Sequence, residues 1–226
     1  MKLGILKEKH YLEETMNITE GIFSRKSIRK FKNEPVKKED IVACLEAACQ
    51  APSPKHQQNW HFVVIQNKEL IQQLTKVVEK RHEEIASFAK DEKTKEKFMK
   101  LMRYYTLFKG APVLVVVYAK PYFMIEEKIL AGQNEMKAII DAIQSTQSAA
   151  QAIGAAVENF LLKATDLGYG TCYMTGPSHA KKEIEALIGE KEGYELMSMV
   201  AMGVPVEETS EKPERLPIEE VVEFID

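Results

Sequence analysis

Two short stretches of the chain hold residue types at spacings from which a binding or catalytic site could be built. The first is Arg25-Lys26-Ser27-Ile28-Arg29-Lys30-Phe31, where four cations stand within six residues around one serine. A guanidinium is a planar fork that matches phosphate oxygens, and a hydroxyl with nearby backbone N–H groups can complete such a grip. Arg25 is then the bidentate donor and Ser27 its companion. Taken alone, the run fits a solvated basic helix end equally well. The second stretch is Pro52-Ser53-Pro54-Lys55-His56-Gln57-Gln58-Asn59-Trp60, dense in amide, hydroxyl and imidazole groups, leading straight into the apolar run at 61–65. Those side chains could simply fasten a loop, or they could hydrogen-bond a planar heteroaromatic ligand.

Other chemistry is poorly supplied. The five histidines show no metal-ligand spacing, and no metal site is expected. The three cysteines, Cys44, Cys49 and Cys172, form no CxxC, and their odd number argues against a disulfide framework. Cys44 and Cys49 read as small hydrophobes on a helix, and all three thiols suit a reducing cytoplasm. A net charge of −3 implies no bulk attraction to nucleic acid or acidic membranes. The longest aliphatic run, VLVVVY, is too short to span a bilayer, and MKLGILKEKHYLEE turns charged too early for a signal peptide. A cytoplasmic protein of one domain, 1–226, is expected, with 45% hydrophobic residues to build its core.

The elements that must carry these groups follow from periodicity and punctuation. A short helix at 16–24, with Ile18, Ile22 and Phe23 as its apolar positions, delivers the cationic run. A second helix buries Ile41, Val42, Leu45, Ala48 and Cys49 and stops before Pro52. Strand 61–65 is followed by Asn67 as a helix cap, then by two charged amphipathic helices joined around Asp91. The run at 110–120 is almost continuously apolar, as in parallel strands buried on both faces. An excursion at 121–136 opens with Tyr122, Phe123 and Met124. Residues 141–167 read as one long helix, capped by Asp141 and stopped by Gly168, without a charge from Ala142 to Val157. Its small residues suggest close approach of another helix, either within the chain or from a symmetry mate. A strand and turn follow at 170–177; then Ser178 caps a helix ending at Gly189, and 195–203 is a last strand.

RxSxR at the end of a first helix, followed by APSxxxxQxW and an apolar strand, resembles the nitroreductase family of FMN-dependent oxidoreductases, and the resemblance extends over nearly the whole chain. The resemblance implies an α+β fold: a central mixed sheet of four or five strands flanked by helices, with the long central helix at a homodimer interface. It implies FMN as cofactor, NADH or NADPH as hydride donor, and a small-molecule electron acceptor. Arg25, Lys26 and Ser27 then match phosphate ligands, and Arg29 the slot of a cation near flavin N1. Pro52, Ser53, Pro54, His56 and Gln58 match a loop that lies over the flavin of the other subunit. His56 and Asn59 depart from the family's commoner residues there. Tyr173, Met174, Thr175 and Gly176 match the segment whose backbone N–H faces flavin N5. Arg29, Thr175 and Gly176 are therefore the catalytic candidates. Arg215, and more weakly Lys212, match cations that reach the phosphate. The excursion at 121–136 matches a lid, and 211–226 an arm lying on the partner. Non-catalytic flavin storage, and the flavin-cleaving and dehalogenating branches of the family, are the alternatives, and the sequence carries no clear signature of the last two.

Overall fold

The computed structural model describes residues 16–133, 136–206 and 213–225. In chain order the helices are α1 (Ile18–Ser24), α2 (Lys38–Cys49), α3 (Lys68–Ser87), α4 (Glu92–Tyr105), α5 (Ile125–Ile129), α6 (Lys137–Ser145), α7 (Ser148–Asp166) and α8 (Lys181–Ile188). The strands are β1 (Trp60–Ile65), β2 (Val113–Ala119), β3 (Gly170–Met174) and β4 (Glu195–Gly203). They form one sheet in the order β1-β2-β4-β3.

Every neighbouring pair in this sheet is antiparallel. The apolar run at 110–120 does become a strand buried along its whole length, but not in a parallel sheet. Burial on both faces reflects what covers the strand, not its direction. Val113, Val115 and Val117 meet Ile41 and Cys44 of α2 and Ile153, Ala156 and Phe160 of α7. Leu114, Val116 and Tyr118 meet Ile71, Leu74 and Val78 of α3 and Ile184 of α8. The mixed character of the sheet reduces to one parallel bridge, Ser27 to Thr171, on the outer edge of β3.

Local signals set the helix starts. Asn17 and Glu20 form a reciprocal capping box on α1. Asn67 and Asp91 accept the backbone N–H groups of Leu70 and Thr94 at 3.1 and 2.8 Å. Cys44 packs as expected, and burial pushes its thiol up to about 12. Cys49 does not: it lies exposed at the end of α2.

The helix expected over 141–167 is broken. Asp141 lies inside α6 and does not cap, and Gln147 turns left-handed at φ 49°, ψ 45° between α6 and α7. Ser145 and Thr146 hydroxyls donate to the Ala142 and Ile143 carbonyls at 2.7 and 2.8 Å, and the Gln151 amide donates to the Thr146 carbonyl at 2.6 Å. These side chains offer the backbone an alternative to the next helical turn, and five polar residues in a row make the alternative win. The helix stop holds: Gly168 follows at φ 79°. Likewise Ser178 does not cap α8, which starts from Ala180 after a 3-10 turn at Gly176–Ala180.

Candidate functional site

The cationic run leaves α1 at Arg25 and crosses the outer edge of β3. Ile28 N–H donates to the Thr171 carbonyl at 2.8 Å, and Lys32 N–H to the Val204 carbonyl at 2.8 Å. Its seat is made by two glycines that face each other in the register, Gly170 on β3 and Gly203 on β4. A Cβ on Gly170 would stand 2.7 Å from three side-chain carbons of Ile28, and one on Gly203 would stand 2.6 Å from Pro112 and 3.0 Å from Phe31. Only glycine admits the strap so close to the sheet.

The strap sorts its side chains. Ile28 is buried, Arg25, Lys26 and Ser27 are half-buried, and Arg29 and Lys30 are exposed. Arg25 Nε lies 3.1 Å from Glu158 Oε1 on α7, with its side chain only 17% exposed. That contact uses the inner nitrogen and orients the guanidinium. Arg29 Nη1 donates to the Ser27 carbonyl at 3.4 Å. Burial raises the Cys172 thiol above its ordinary value, and the Arg29 charge opposes that rise, so this cation stands near β3.

Directly downstream on β3, Tyr173 is exposed and Met174 buried, and the chain then turns through Thr175 and Gly176. Among the described residues no backbone acceptor takes the N–H of Thr175 or Gly176, while the Thr175 carbonyl accepts from Ser178 N–H at 3.1 Å. Arg25, Lys26, Ser27 and Arg29 are thus brought to the same strand that presents Tyr173, Met174, Thr175 and Gly176.

The 52–58 loop gathers elsewhere. Pro52, Ser53 and Pro54 line a cavity of about 420 Å³ with Gln151, Ala152 and Ala155 of α7. Lys55, His56 and Gln58 all have positive φ, at 50°, 53° and 45°. Each such residue costs about 1–2 kcal/mol, so the loop holds an unusual shape against its own preference. Ser53 Oγ accepts from Gln58 N–H at 3.0 Å, and the Gln58 amide meets His56 Nε2 at 3.0 Å. Gln57, one of the loop's amides, clasps the Phe123 backbone with both ends of its side chain, at 2.9 and 3.0 Å. Lys55 pairs with Glu126 at 3.4 Å. The loop's bonds therefore run to itself and to the 121–130 excursion, beneath which lies a cavity of about 340 Å³ lined in part by Tyr122, Met124, Glu127, Gln144 and Gln147. The expected lid residues divide: Met124 is buried, while Phe123 is exposed.

Arg215 lies in the exposed segment 213–225 and donates to the Pro213 carbonyl at 3.2 Å. Lys212 lies outside the described residues. Among the described residues no group of three His, Cys, Asp or Glu side chains is placed to hold a metal, and no helix is long and apolar enough to cross a membrane. Two contributors had no plain signal in the sequence: Glu158, 133 residues after Arg25, and the facing pair Gly170 and Gly203.

Comparison with known proteins matches this arrangement to a family. A BluB-like flavoprotein from Clostridium difficile 630 is 38% identical, with a TM-score of 0.87 over 93% of this chain and 100% of that one. A nitroreductase with bound FMN from Desulfitobacterium hafniense DCB-2 is 26% identical, with a TM-score of 0.67 over 93% and 100%. An Archaeoglobus fulgidus protein provisionally named NADH dehydrogenase/NAD(P)H nitroreductase is 26% identical over 83% of this chain and 84% of its own. Iodotyrosine deiodinases also occur among the relatives, at 23–24% identity. The Nitroreductase family profile matches residues 22–204, and the chain belongs to that family.

Proposed function

We propose that the chain is an FMN-dependent oxidoreductase, drawing on NADH or NADPH and reducing nitroaromatics, quinones or related small acceptors. The observation that carries this reading is the strap: Arg25, Ser27 and Arg29 are held along the same strand whose end presents the N–H groups of Thr175 and Gly176, which no backbone acceptor takes among the described residues. These residues fit the cofactor. Arg25, with Nε on Glu158, keeps its outer nitrogens for phosphate, with Lys26 and Ser27 beside it. Arg29 supplies positive charge toward the flavin N1 edge, and Thr175 and Gly176 supply the N5 donor. Tyr173 and Met174 flank the ring, and Arg215 and Lys212 add charge for the phosphate. When bound, FMN supplies the centre that takes up and gives up hydride. The chain binds it, orients it and stabilises the charge that develops on reduction.

The active form is a homodimer, in which Pro52, Ser53, Pro54, His56 and Gln58 of one copy complete the site held by the strap of the other. Support comes from the loop's hydrogen bonds, none of which reaches the strap among the described residues, and from uncovered apolar surface. Phe224 in the C-terminal segment is 88% exposed, with Ile18 on α1 and Leu216, Ile218, Val221 and Ile225 also exposed. Such side chains call for a cover, and a second copy supplies it.

Steady-state oxidation of NADH or NADPH by the FMN-loaded protein, with menadione or nitrofurazone as acceptor, tests the reading. Turnover with parallel double-reciprocal lines is expected, since donor and acceptor use one site in turn. FMN binding without turnover would make the protein a flavin store. Turnover of halotyrosines alone would place it with the dehalogenating relatives. A stable monomer in sedimentation at micromolar concentration would reject the shared site.

A further inference from the structure

Gly176 does not turn in open space. A Cβ placed on it would lie 3.0 and 3.1 Å from Cδ1 and Cε1 of Tyr105, so the glycine backbone packs against that side of the ring. Tyr105 is the last residue of α4 and cannot recede. His82 of α3 and His179 of the 176–180 turn flank it with ring centroids at 4.8 and 5.0 Å. His82 is fully buried and stacks on Phe98 at 3.9 Å with 8° between the planes.

Both imidazoles are pinned to backbone. His82 Nε2 lies 2.8 Å from the Phe98 carbonyl, and His179 Nε2 lies 3.2 Å from the Val78 carbonyl. A carbonyl only accepts, so each ring donates from Nε2. Both Nδ1 atoms are buried, and among the described residues neither has a partner. One imidazole ties α3 to α4, and the other ties the turn to α3. Burying two polar rings this way is a poor means of filling space, because each leaves an unsatisfied nitrogen. What the arrangement provides is registry: three elements meet at one tyrosine ring, and Gly176 lies on it.

Resting on the FMN reading above, we propose that Tyr105, His82 and His179 are positioning residues, a platform that fixes the Thr175–Gly176 peptide where it meets the flavin. None of the three touches the flavin in this assignment. They act by denying the turn any freedom to withdraw, so the donor is in place before the cofactor is reduced.

Tyr105→Ala, Tyr105→Phe and Gly176→Ala test this with two readouts. In protein free of added flavin, amide hydrogen exchange over 174–180 should rise tenfold or more in Tyr105→Ala, with β2 protection unchanged, and should stay at the parent value in Tyr105→Phe. In FMN-loaded protein, Tyr105→Ala should shift the relative affinity for reduced and oxidised FMN tenfold, about 30 mV for a two-electron couple, and Tyr105→Phe should restore the parent potential. Gly176→Ala should disturb both readouts, and less so when combined with Tyr105→Ala. Unchanged exchange in folded Tyr105→Ala overturns the platform, as does changed exchange with an unchanged potential. If Tyr105→Ala fails to fold, Tyr105→Leu and Gly176→Ala carry the same comparison. Failure of the parent protein to bind FMN would reject the functional reading, and the proposed role of the platform with it.

Discussion

Gly170→Ala is the sharpest test of how the strap is held. Its φ is not left-handed, so alanine is compatible with the backbone and should gain about 0.5–1 kcal/mol from the stiffer unfolded chain. Opposing this, the new Cβ would lie 2.7 Å from Cβ, Cγ1 and Cγ2 of Ile28. Carbon pairs rest near 3.5–4.0 Å, so the strap must lift by roughly 1 Å. Ile28 is buried, and its N–H bonds the Thr171 carbonyl at 2.8 Å, a contact that such a shift breaks. Overpacking costs about 1–3 kcal/mol and the lost hydrogen bond about 0.5–1.5, so after the backbone gain a net loss of about 0.5–4 kcal/mol is expected in urea denaturation. FMN affinity should fall as well, because Arg25 and Ser27 ride on the displaced strap. The decisive comparison is a double-mutant cycle. Ile28→Ala should cost at least 1 kcal/mol less in the Gly170→Ala background than in the parent. A Gly170→Ala protein as stable as the parent, or a cycle with no coupling, would show that the glycine is not there to admit Ile28.

Three further outcomes are expected. Arg25→Ala should weaken FMN binding about tenfold or more while leaving riboflavin binding nearly unchanged, since one charge-assisted contact contributes about 1.5–3 kcal/mol; equal losses for the two ligands in fluorescence titration would remove Arg25 from the phosphate. Arg29→Met should retain FMN but lower its midpoint potential, because a cation near N1 favours the reduced, negatively charged flavin; a parent-like potential in spectroelectrochemistry would reject that role. Burial, opposed by the Val78 carbonyl and Glu183 and helped by the Arg81 charge, holds His179 below its usual value. Between that lowered value and about 6.5 the unfolded chain binds more protons, so stability is full above pH 6.5 and declines as pH falls through this window. His179→Gln should flatten that part of a urea-denaturation profile, and a slope identical to the parent's would count against a neutral His179.

Much of the architecture was legible because it rests on local causes. Asn67 caps the helix its position suggested, Asp91 stands at the expected joint between the two charged helices and caps the second, and each strand follows a run of apolar residues bounded by breakers. The direction of β2 was not legible, since an all-apolar strand says only that both faces are covered, and helices cover them here in an antiparallel sheet. The break at Gln147 was hidden for a related reason. Periodicity through Gln144, Gln147 and Gln151 favours a continuous helix, and only the competition from Ser145, Thr146 and Gln151 side chains ends it.

The candidate site divides along the same line. Its chemistry is local: a fork of cations around Ser27 and a cluster of amides around Gln58 announce themselves as residue types. What places that chemistry is not local. Arg25 is oriented by Glu158, the strap is admitted by Gly170 and Gly203, and the turn at Gly176 rests on Tyr105. None of these partners carries a distinctive chemical signature, because the work they do is to be small, flat or correctly charged at one point in space. A glycine in a strand reads as a weak spot until the chain that crosses it is known. The motif residues decide which ligand can be bound, and the unremarked glycines and rings decide whether those residues point at it.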